Sequence, residues 1–360
     1  MKIQVPVRKI MCWLLAAVLV SGYFSIFTIP TAAEEPDTVS VLREFEDDLA
    51  AFGARYHFTD YLIDALGMTR PERAEDYSAF FEDVFRNLGQ VRPALAEDIV
   101  IDATDYVYIE GMEQRHEENW RDMPGTSVWT GEQGVIEWDV YIAEAGLYNL
   151  SVLFYSYPGR SSDIQRAIFI NGELPFFEAN PVELRRTWIN MHETIQQDIQ
   201  GNDMRPPQVE QHRWYEAIIR DSMGTYNEPL LFHLNAGYNR ISFVSLREPM
   251  MIRQLRIHQV PEVLSYSQVA AARGNLSSPS VSQVAPIRVE GQDAVRKSSP
   301  MLAPGSDTGG PGVYPYSARY IRVNHIGGGS WSEPGAWIEW EVYVPHAGLY
   351  SIAMNVRQNF

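Results

Sequence analysis

Gly134-Val135-Ile136-Glu137-Trp138-Asp139-Val140-Tyr141-Ile142-Ala143-Glu144-Ala145-Gly146-Leu147-Tyr148 returns later in the chain as Ala336-Trp337-Ile338-Glu339-Trp340-Glu341-Val342-Tyr343-Val344-Pro345-His346-Ala347-Gly348-Leu349-Tyr350. Within the first stretch Ile136, Trp138, Val140 and Ile142 alternate with Glu137, Asp139 and Tyr141. That period of two marks a strand with one face buried, and it assigns Trp138 and its counterpart Trp340 to a core. Ala145-Gly146 makes a turn, and Leu147 to Leu153 resumes as the next strand. Trp129 and Trp331 hold matching places upstream, and Ile99-Val100-Ile101-Asp102 matches Ile287-Arg288-Val289-Glu290. A unit this long is a whole domain, not a solenoid repeat. The first copy runs from about Ile99 to Val260. The second begins at Ile287 and contains only the opening strands by Phe360, so the sequence is expected to be a fragment of a longer protein.

Working outward, further strands are predicted at Ala167–Ile170, closed by an Asn171-Gly172 turn, at Leu230–Leu234, Arg240–Leu246 and Ile252–Val260. Pro181 to Met223 is long and strand-poor and reads as an elaborated loop, the part of a sandwich that carries function. Upstream, Asp37 to about Leu88 has helical spacing: Val41, Leu42, Phe45, Leu49 and Phe52, then Tyr77, Phe80, Phe81, Val84, Phe85 and Leu88 as one stripe. Pro71, Glu72 and Glu75 suit the start of the second helix and Gly89 its end. Ala270 to Ala285 is Ser-, Ala- and Gln-rich and reads as a flexible linker. The expectation is a mainly β protein with this organisation: a signal peptide at 1–33, a helical lead-in at 34–95, a β-sandwich at 96–262, a linker at 263–285 and an incomplete second sandwich at 286–360.

The 360 residues carry a formal net charge of −17. Such a chain repels phosphate backbones, so nucleic acid is excluded as a partner. Lys2, Arg8 and Lys9, the apolar run Ile10–Ile29 and the small residues Ala32-Ala33 form an export signal cleaved after Ala33; the rival reading is an uncleaved membrane anchor. Cys12, the one cysteine, lies inside that segment, and Ile10 and Met11 before it do not suit lipidation. The cleaved chain has neither disulfide nor thiolate. The expected location is outside the cell, at a Gram-positive surface.

The aromatic strand, Ala-Gly-Leu-Tyr turn and outgoing strand resemble the galactose-binding-like jelly rolls of carbohydrate-binding modules. Gly111-Met112-Glu113, Gly134 to Tyr148, Arg205 to Glu210, Arg220-Asp221-Ser222 and Arg247-Glu248-Pro249-Met250 are similar to the N-terminal region of large extracellular solute-binding proteins of carbohydrate ABC transporters in Paenibacillus-like bacteria. The resemblance spans about Ile99 to the C-terminus. It implies tandem jelly rolls ahead of a two-lobed solute-binding domain that this sequence does not contain. The implied partners are an oligo- or polysaccharide and, through that absent domain, an ABC permease. A purely structural spacer and an appendage of a surface polysaccharide-degrading enzyme are the alternatives.

Sugar contacts need flat aromatic faces and hydrogen-bonding polar groups. Trp120, Trp129, Trp188, Trp214, Tyr215 and Tyr226 lie in loop-like stretches and are candidate platforms, or else plugs at the sandwich end. Arg205, Glu210 and Arg213 are candidate polar partners, or else ion pairs that pin a loop. Jelly-roll modules often hold a structural calcium, for which Asp102, Asp105 and Glu110 are candidate ligands without EF-hand spacing. No other cofactor is expected. HExxH, GxSxG, P-loop and dinucleotide motifs are missing, so the chain is not expected to be an enzyme.

Overall fold

The structure is a computed structural model and describes residues 75–88, 92–261, 263–273 and 285–357. The export signal, the first helical stretch, Pro71, Glu72, Gly89 and residues 274–284 of the expected linker lie outside the described residues. In chain order the first strands are β1 (Ile99–Asp102), β2 (Tyr106–Glu110), β3 (Arg115–Glu118), β4 (Thr126–Thr130), β5 (Val135–Ile142), β6 (Gly146–Ser156), β7 (Ile164–Ile170) and β8 (Val182–Leu184). There follow β9 (Trp188–Asn190), β10 (Gln208–Glu210), β11 (Trp214–Ile218), β12 (Leu231–Leu234), β13 (Gly237–Arg247), β14 (Met250–His258), β15 (Arg296–Lys297) and β16 (Ile338–Glu339). The helices are α1 (Tyr77–Leu88) and α2 (Tyr266–Ala272).

Two antiparallel sheets make the first sandwich. One runs β11-β6-β14-β4-β3, with β12 also on β6 and β1 also on β14; the other runs β2-β5-β13-β7-β8. The alternation seen in the sequence is the reason the sheets face each other. Ile136, Trp138, Val140 and Ile142 of β5 meet Tyr148, Leu150, Val152 and Phe154 of β6 in one core. Trp138 is fully buried, lies edge-on to Phe243 at 5.6 Å, and donates its indole N–H to the Ala103 carbonyl at 3.0 Å. Burial of each such side chain is worth about 1.5–3 kcal/mol. Asn171 and Gly172, at φ 54° and 81°, form the expected tight turn after β7.

Helix α1 closes one end of the core. Tyr77 and Val84 join the core, and Phe80 and Phe81 pack against it. The Leu231 N–H donates to Tyr77 Oη at 3.0 Å. Phe85, read from the sequence as part of this stripe, is exposed instead. The stretch Pro181–Met223, read as an elaborated strand-poor loop, holds β8, β9, β10 and β11; the first three have three residues each, which leaves no readable period. Ala270 to Ala272, placed in the linker, belong to α2, whose start is fixed by the Ser265–Gln268 capping box.

The second copy repeats three local features of the first, although its described strands are only two residues long. β15 and β16 pair Arg296 with Glu339, the register in which β2 and β5 pair Tyr108 with Glu137. Trp340 donates to the Gly291 carbonyl at 3.1 Å, as Trp138 does to Ala103. Tyr350 Oη donates to the His346 carbonyl at 2.7 Å, as Tyr148 does to Glu144. Trp340 is only half-buried, however, because the opposing layer that covers Trp138 has no counterpart among the described residues.

β15 also pairs with β9, so β10, β9, β15 and β16 form one sheet across the two copies. Lys297 Nζ donates to Asn190 Oδ1 at 2.7 Å. Arg322 donates to Asp203 at 2.7 Å and to the Gly201 carbonyl at 2.9 Å. Arg185 meets Glu333 at 3.3 Å and donates to the Pro334 carbonyl at 2.9 Å. The elaborated stretch between β8 and β11 is thus the dock for the second copy. Among the described residues no helix is long and apolar enough to cross a membrane.

Candidate functional site

The outer face of the seven-stranded sheet carries a cross-strand row. Arg115 pairs with Trp129, Trp129 with Met251, Met251 with Tyr155, and Tyr155 with Trp214. Their strand neighbours Val128, Phe154 and Ile252 are in the core, so alternation turns the row outward. Trp129 and Trp214 remain half-buried, whereas Tyr155 is buried and Met251 is covered completely. Gly131 makes room for the Trp129 ring, since a Cβ there would stand 2.9 Å from Cη2.

Trp120 adds a second tier. Its ring stacks on Tyr157 at 5.9 Å and meets Tyr155 edge-on at 6.3 Å, and its carbonyl accepts from Trp214 Nε1 at 3.0 Å. The Arg115 guanidinium lies 5.6 Å from the Tyr157 ring and 6.0 Å from Trp120, and Arg121 lies 5.4 Å from Trp120. The segment that presents Trp120 is bent: Asn119, Arg121 and Asp122 have φ of 51°, 49° and 64°. Left-handed backbone at non-glycine residues costs on the order of 1–3 kcal/mol each and concentrates at ligand-contacting loops. The Asn119 N–H donates to the Gly125 carbonyl at 2.8 Å and holds the bend shut. The indole N–H groups of Trp120 and Trp129 are shielded from solvent and have no hydrogen-bond partner. The site therefore offers aromatic faces and guanidinium groups together.

A buried ionic cluster positions this surface. Arg186, fully buried, donates to the Ser162 carbonyl at 2.5 Å, the Tyr157 carbonyl at 3.1 Å and Glu248 at 2.9 Å, and it also pairs with Glu210. Glu248 accepts from the Arg160 N–H at 2.9 Å. His212 Nδ1 faces the Ser156 carbonyl at 2.8 Å, so that nitrogen carries the proton, and it lies 3.1 Å from Glu210. Behind them Arg166 donates to five oxygens: the carbonyls of Gln165, Arg247, Glu248 and Gly131, and Thr130 Oγ1. Burial, and then the Arg186 charge, push the Arg166 pKa down to about 9.

Of the residues singled out from the sequence, Trp120, Trp129 and Trp214 come together here. The others do not. Tyr215 points inward onto Phe154 at 4.5 Å, as alternation against Trp214 requires. Tyr226 packs on Tyr77 at 5.0 Å beside α1. Trp188 stands opposite Lys297 in the sheet between the copies. Glu210 is held by Arg186, the Arg213 guanidinium sits 5.5 Å from Tyr215, and Arg205 is exposed on the docking stretch. Tyr155, Tyr157, Met251 and Arg115 were missed. Tyr155 and Tyr157 were legible as the out-of-phase partners of Phe154.

The calcium ligands do not assemble. Asp102 accepts from Thr104 Oγ1 at 2.8 Å and from Arg253 at 2.6 Å. Burial works to raise its pKa, but the Thr104 amide and Arg253 outweigh burial and hold it low. Glu110 accepts from Tyr108 Oη. Among the described residues no three His, Cys, Asp or Glu gather where a metal ion could be held.

No family model matches the sequence, and no curated protein matches it. Solved structures similar to it include a family 35 carbohydrate-binding module from Clostridium thermocellum, at 16% identity over 46% of this chain and 100% of that one, TM-score 0.24. A family 35 module from Cellvibrio japonicus is similar at 14% identity over 46% and 95%, TM-score 0.29. A family 6 module of a laminarinase from Zobellia galactanivorans is similar at 12% over 45% and 100%, TM-score 0.28. The chain spans 28% of a similar β-(1,4)-mannanase from Podospora anserina. The sandwich rests on its own two sheets, and these likenesses assign no role to any residue.

Proposed function

We propose that the chain is an extracellular, non-catalytic glycan-recognition region that reads a polysaccharide along the outer face of the seven-stranded sheet, as an accessory part of a sugar-uptake protein. The observation that carries this is the partly exposed pair Trp129 and Trp214 on one sheet face, with Trp120 and Tyr157 stacked beside them. The four steps from Arg115 to Trp214, each about 4.8 Å, span roughly 19 Å, the scale of an extended oligosaccharide. Aromatic faces suit the C–H surface of sugar rings, and the guanidinium groups suit their hydroxyls. Calorimetry of the full chain against plant and bacterial polysaccharides tests this. Trp129→Ala or Trp120→Ala should weaken binding about tenfold or more, equal to about 1.4 kcal/mol, with little change in melting. No binding by the folded wild type to any polysaccharide sinks the proposal.

A second reading, a spacer that sets the spacing of neighbouring domains, is favoured by the dock between β8 and β11, which joins the copies through β9 and β15. The two readings are compatible, because a fixed tandem also fixes where the aromatic face points.

A further inference from the structure

Trp120 and Tyr157 stack on each other from segments of opposite character. Tyr157 is anchored. Its carbonyl accepts from the buried Arg186 at 3.1 Å, and its hydroxyl accepts from Arg115 at 3.2 Å. Trp120 rides on the bend 119–125, none of whose residues belongs to the hydrophobic core. Asn119, Arg121 and Asp122 in that bend are left-handed without being glycine. Such residues persist only where their surroundings hold them. Here the restraints are hydrogen bonds, among them Arg253 Nε to the Pro124 carbonyl at 2.8 Å and Trp214 Nε1 to the Trp120 carbonyl at 3.0 Å, and one stacked ring. The two rings lie 26° from parallel with centroids 5.9 Å apart. Trp120 thus lays a flat face on one aromatic and offers an oxygen to the N–H of another, which is what a sugar ring would do in the same place. Its own indole N–H is shielded without a partner, which disfavours this closed arrangement.

We propose that Trp120 and Tyr157 are the jaws of a clamp, closed on itself in the free chain, that opens to take one pyranose ring between them. This rests on the glycan reading above and narrows it. A ring held between two aromatic faces needs a spacing of about 7–8 Å, twice the carbon–carbon contact distance. That exceeds the present separation, so one jaw must withdraw. The strained bend lets Trp120 move, while Tyr157 stays on its Arg186 anchor. The ligand is then a pyranoside with C–H surface on both faces and its hydroxyls around the rim. At the rim, withdrawal of Trp120 releases the Trp214 N–H from the Trp120 carbonyl, and the Arg115 guanidinium already lies beside both rings. Both groups donate, so both suit hydroxyl oxygens.

The full chain labelled with fluorotryptophan, its Trp120 signal assigned through Trp120→Phe, reports the moving jaw. In the free protein Trp120 should show microsecond-to-millisecond exchange, and the fully buried Trp138 should not. Cellohexaose, mannohexaose and xylohexaose are the probes. At least one should bind and shift the Trp120 and Trp214 signals together. Tyr157→Ala should weaken that binding about tenfold or more. Asn119→Gly with Asp122→Gly relieves the closed form, so less of the chain is open and binding should weaken about threefold to tenfold. A static Trp120, binding that leaves Trp120 and Trp214 unmoved, or a glycine pair that binds as wild type overturns the clamp and leaves the glycan reading standing. Failure of all three probes also overturns the clamp; the glycan reading falls with it only if the wider set of polysaccharides fails as well.

Discussion

Lys297 offers the sharpest quantitative test. Its ammonium is buried between the two copies, its one described partner is Asn190, and burial lowers its pKa to about 8. A base whose folded pKa lies below its unfolded value near 10.4 penalises the docked state fully below the folded pKa. The penalty fades as pH rises toward the unfolded one. The whole shift corresponds to about 3 kcal/mol at pH 7, which screening by the polar junction and by water reduces to about 1–2 kcal/mol. Lys297→Met keeps the stem and removes the charge, at a cost of about 1 kcal/mol for the lost hydrogen bond to Asn190. The variant junction should be at least as stable as wild type at pH 7. Wild type should overtake it by pH 10, where its own penalty is nearly gone. Urea unfolding of both proteins at pH 7, 8.5 and 10, followed by tryptophan fluorescence and by exchange at 295–303, measures the difference. A variant clearly less stable than wild type at pH 7, or a difference that does not change sign or shrink with pH, refutes the reasoning.

Arg186→Ala leaves Glu248 and Glu210 buried without their cation and should cost about 3–5 kcal/mol, read as a large drop in melting temperature. Glu137, raised to about 7 by burial against the pull of Arg240 and Ser242, makes the fold lose stability as pH climbs from about 4.5 to 7. Glu137→Gln should therefore match wild type at pH 4 and exceed it at pH 8 in thermal unfolding. Hydrogen exchange should show protection at Lys297, Ser298, Leu302 and Val323, which are buried, and rapid exchange across 341–357. Uniform protection through 357 would mean that a layer covers the second copy after all.

Long alternating strands were the legible part of the chain. Ile136 to Ile142 and Leu147 to Leu153 announce their buried face because one face of each is buried over many residues. β9 and β10 could not be read that way. Each has three residues; β10 pairs with β9 across a long connection, and the other partner of β9, β15, is far away in sequence, so tertiary contact alone makes them strands. The candidate site was half legible for a related reason. Trp120, Trp129 and Trp214 stood out as tryptophans, but their convergence depends on register across β4, β14, β6 and β11. Tyr215 shows the cost of ignoring alternation: one step from Trp214, it faces the other side of the sheet. Glu210 reads as a ligand group until Arg186, from a different short segment, is seen to claim it.

Arg166 has a consequence for how this end of the sandwich endures its surroundings. Ringed by carbonyl and hydroxyl oxygens from 130–131, 165 and 247–248, its guanidinium occupies the kind of cage in which a hard cation would sit. This cation is covalently part of the chain. The loops it gathers are thus joined by a tie with no dissociation constant, one that neither dilution nor a chelator can withdraw.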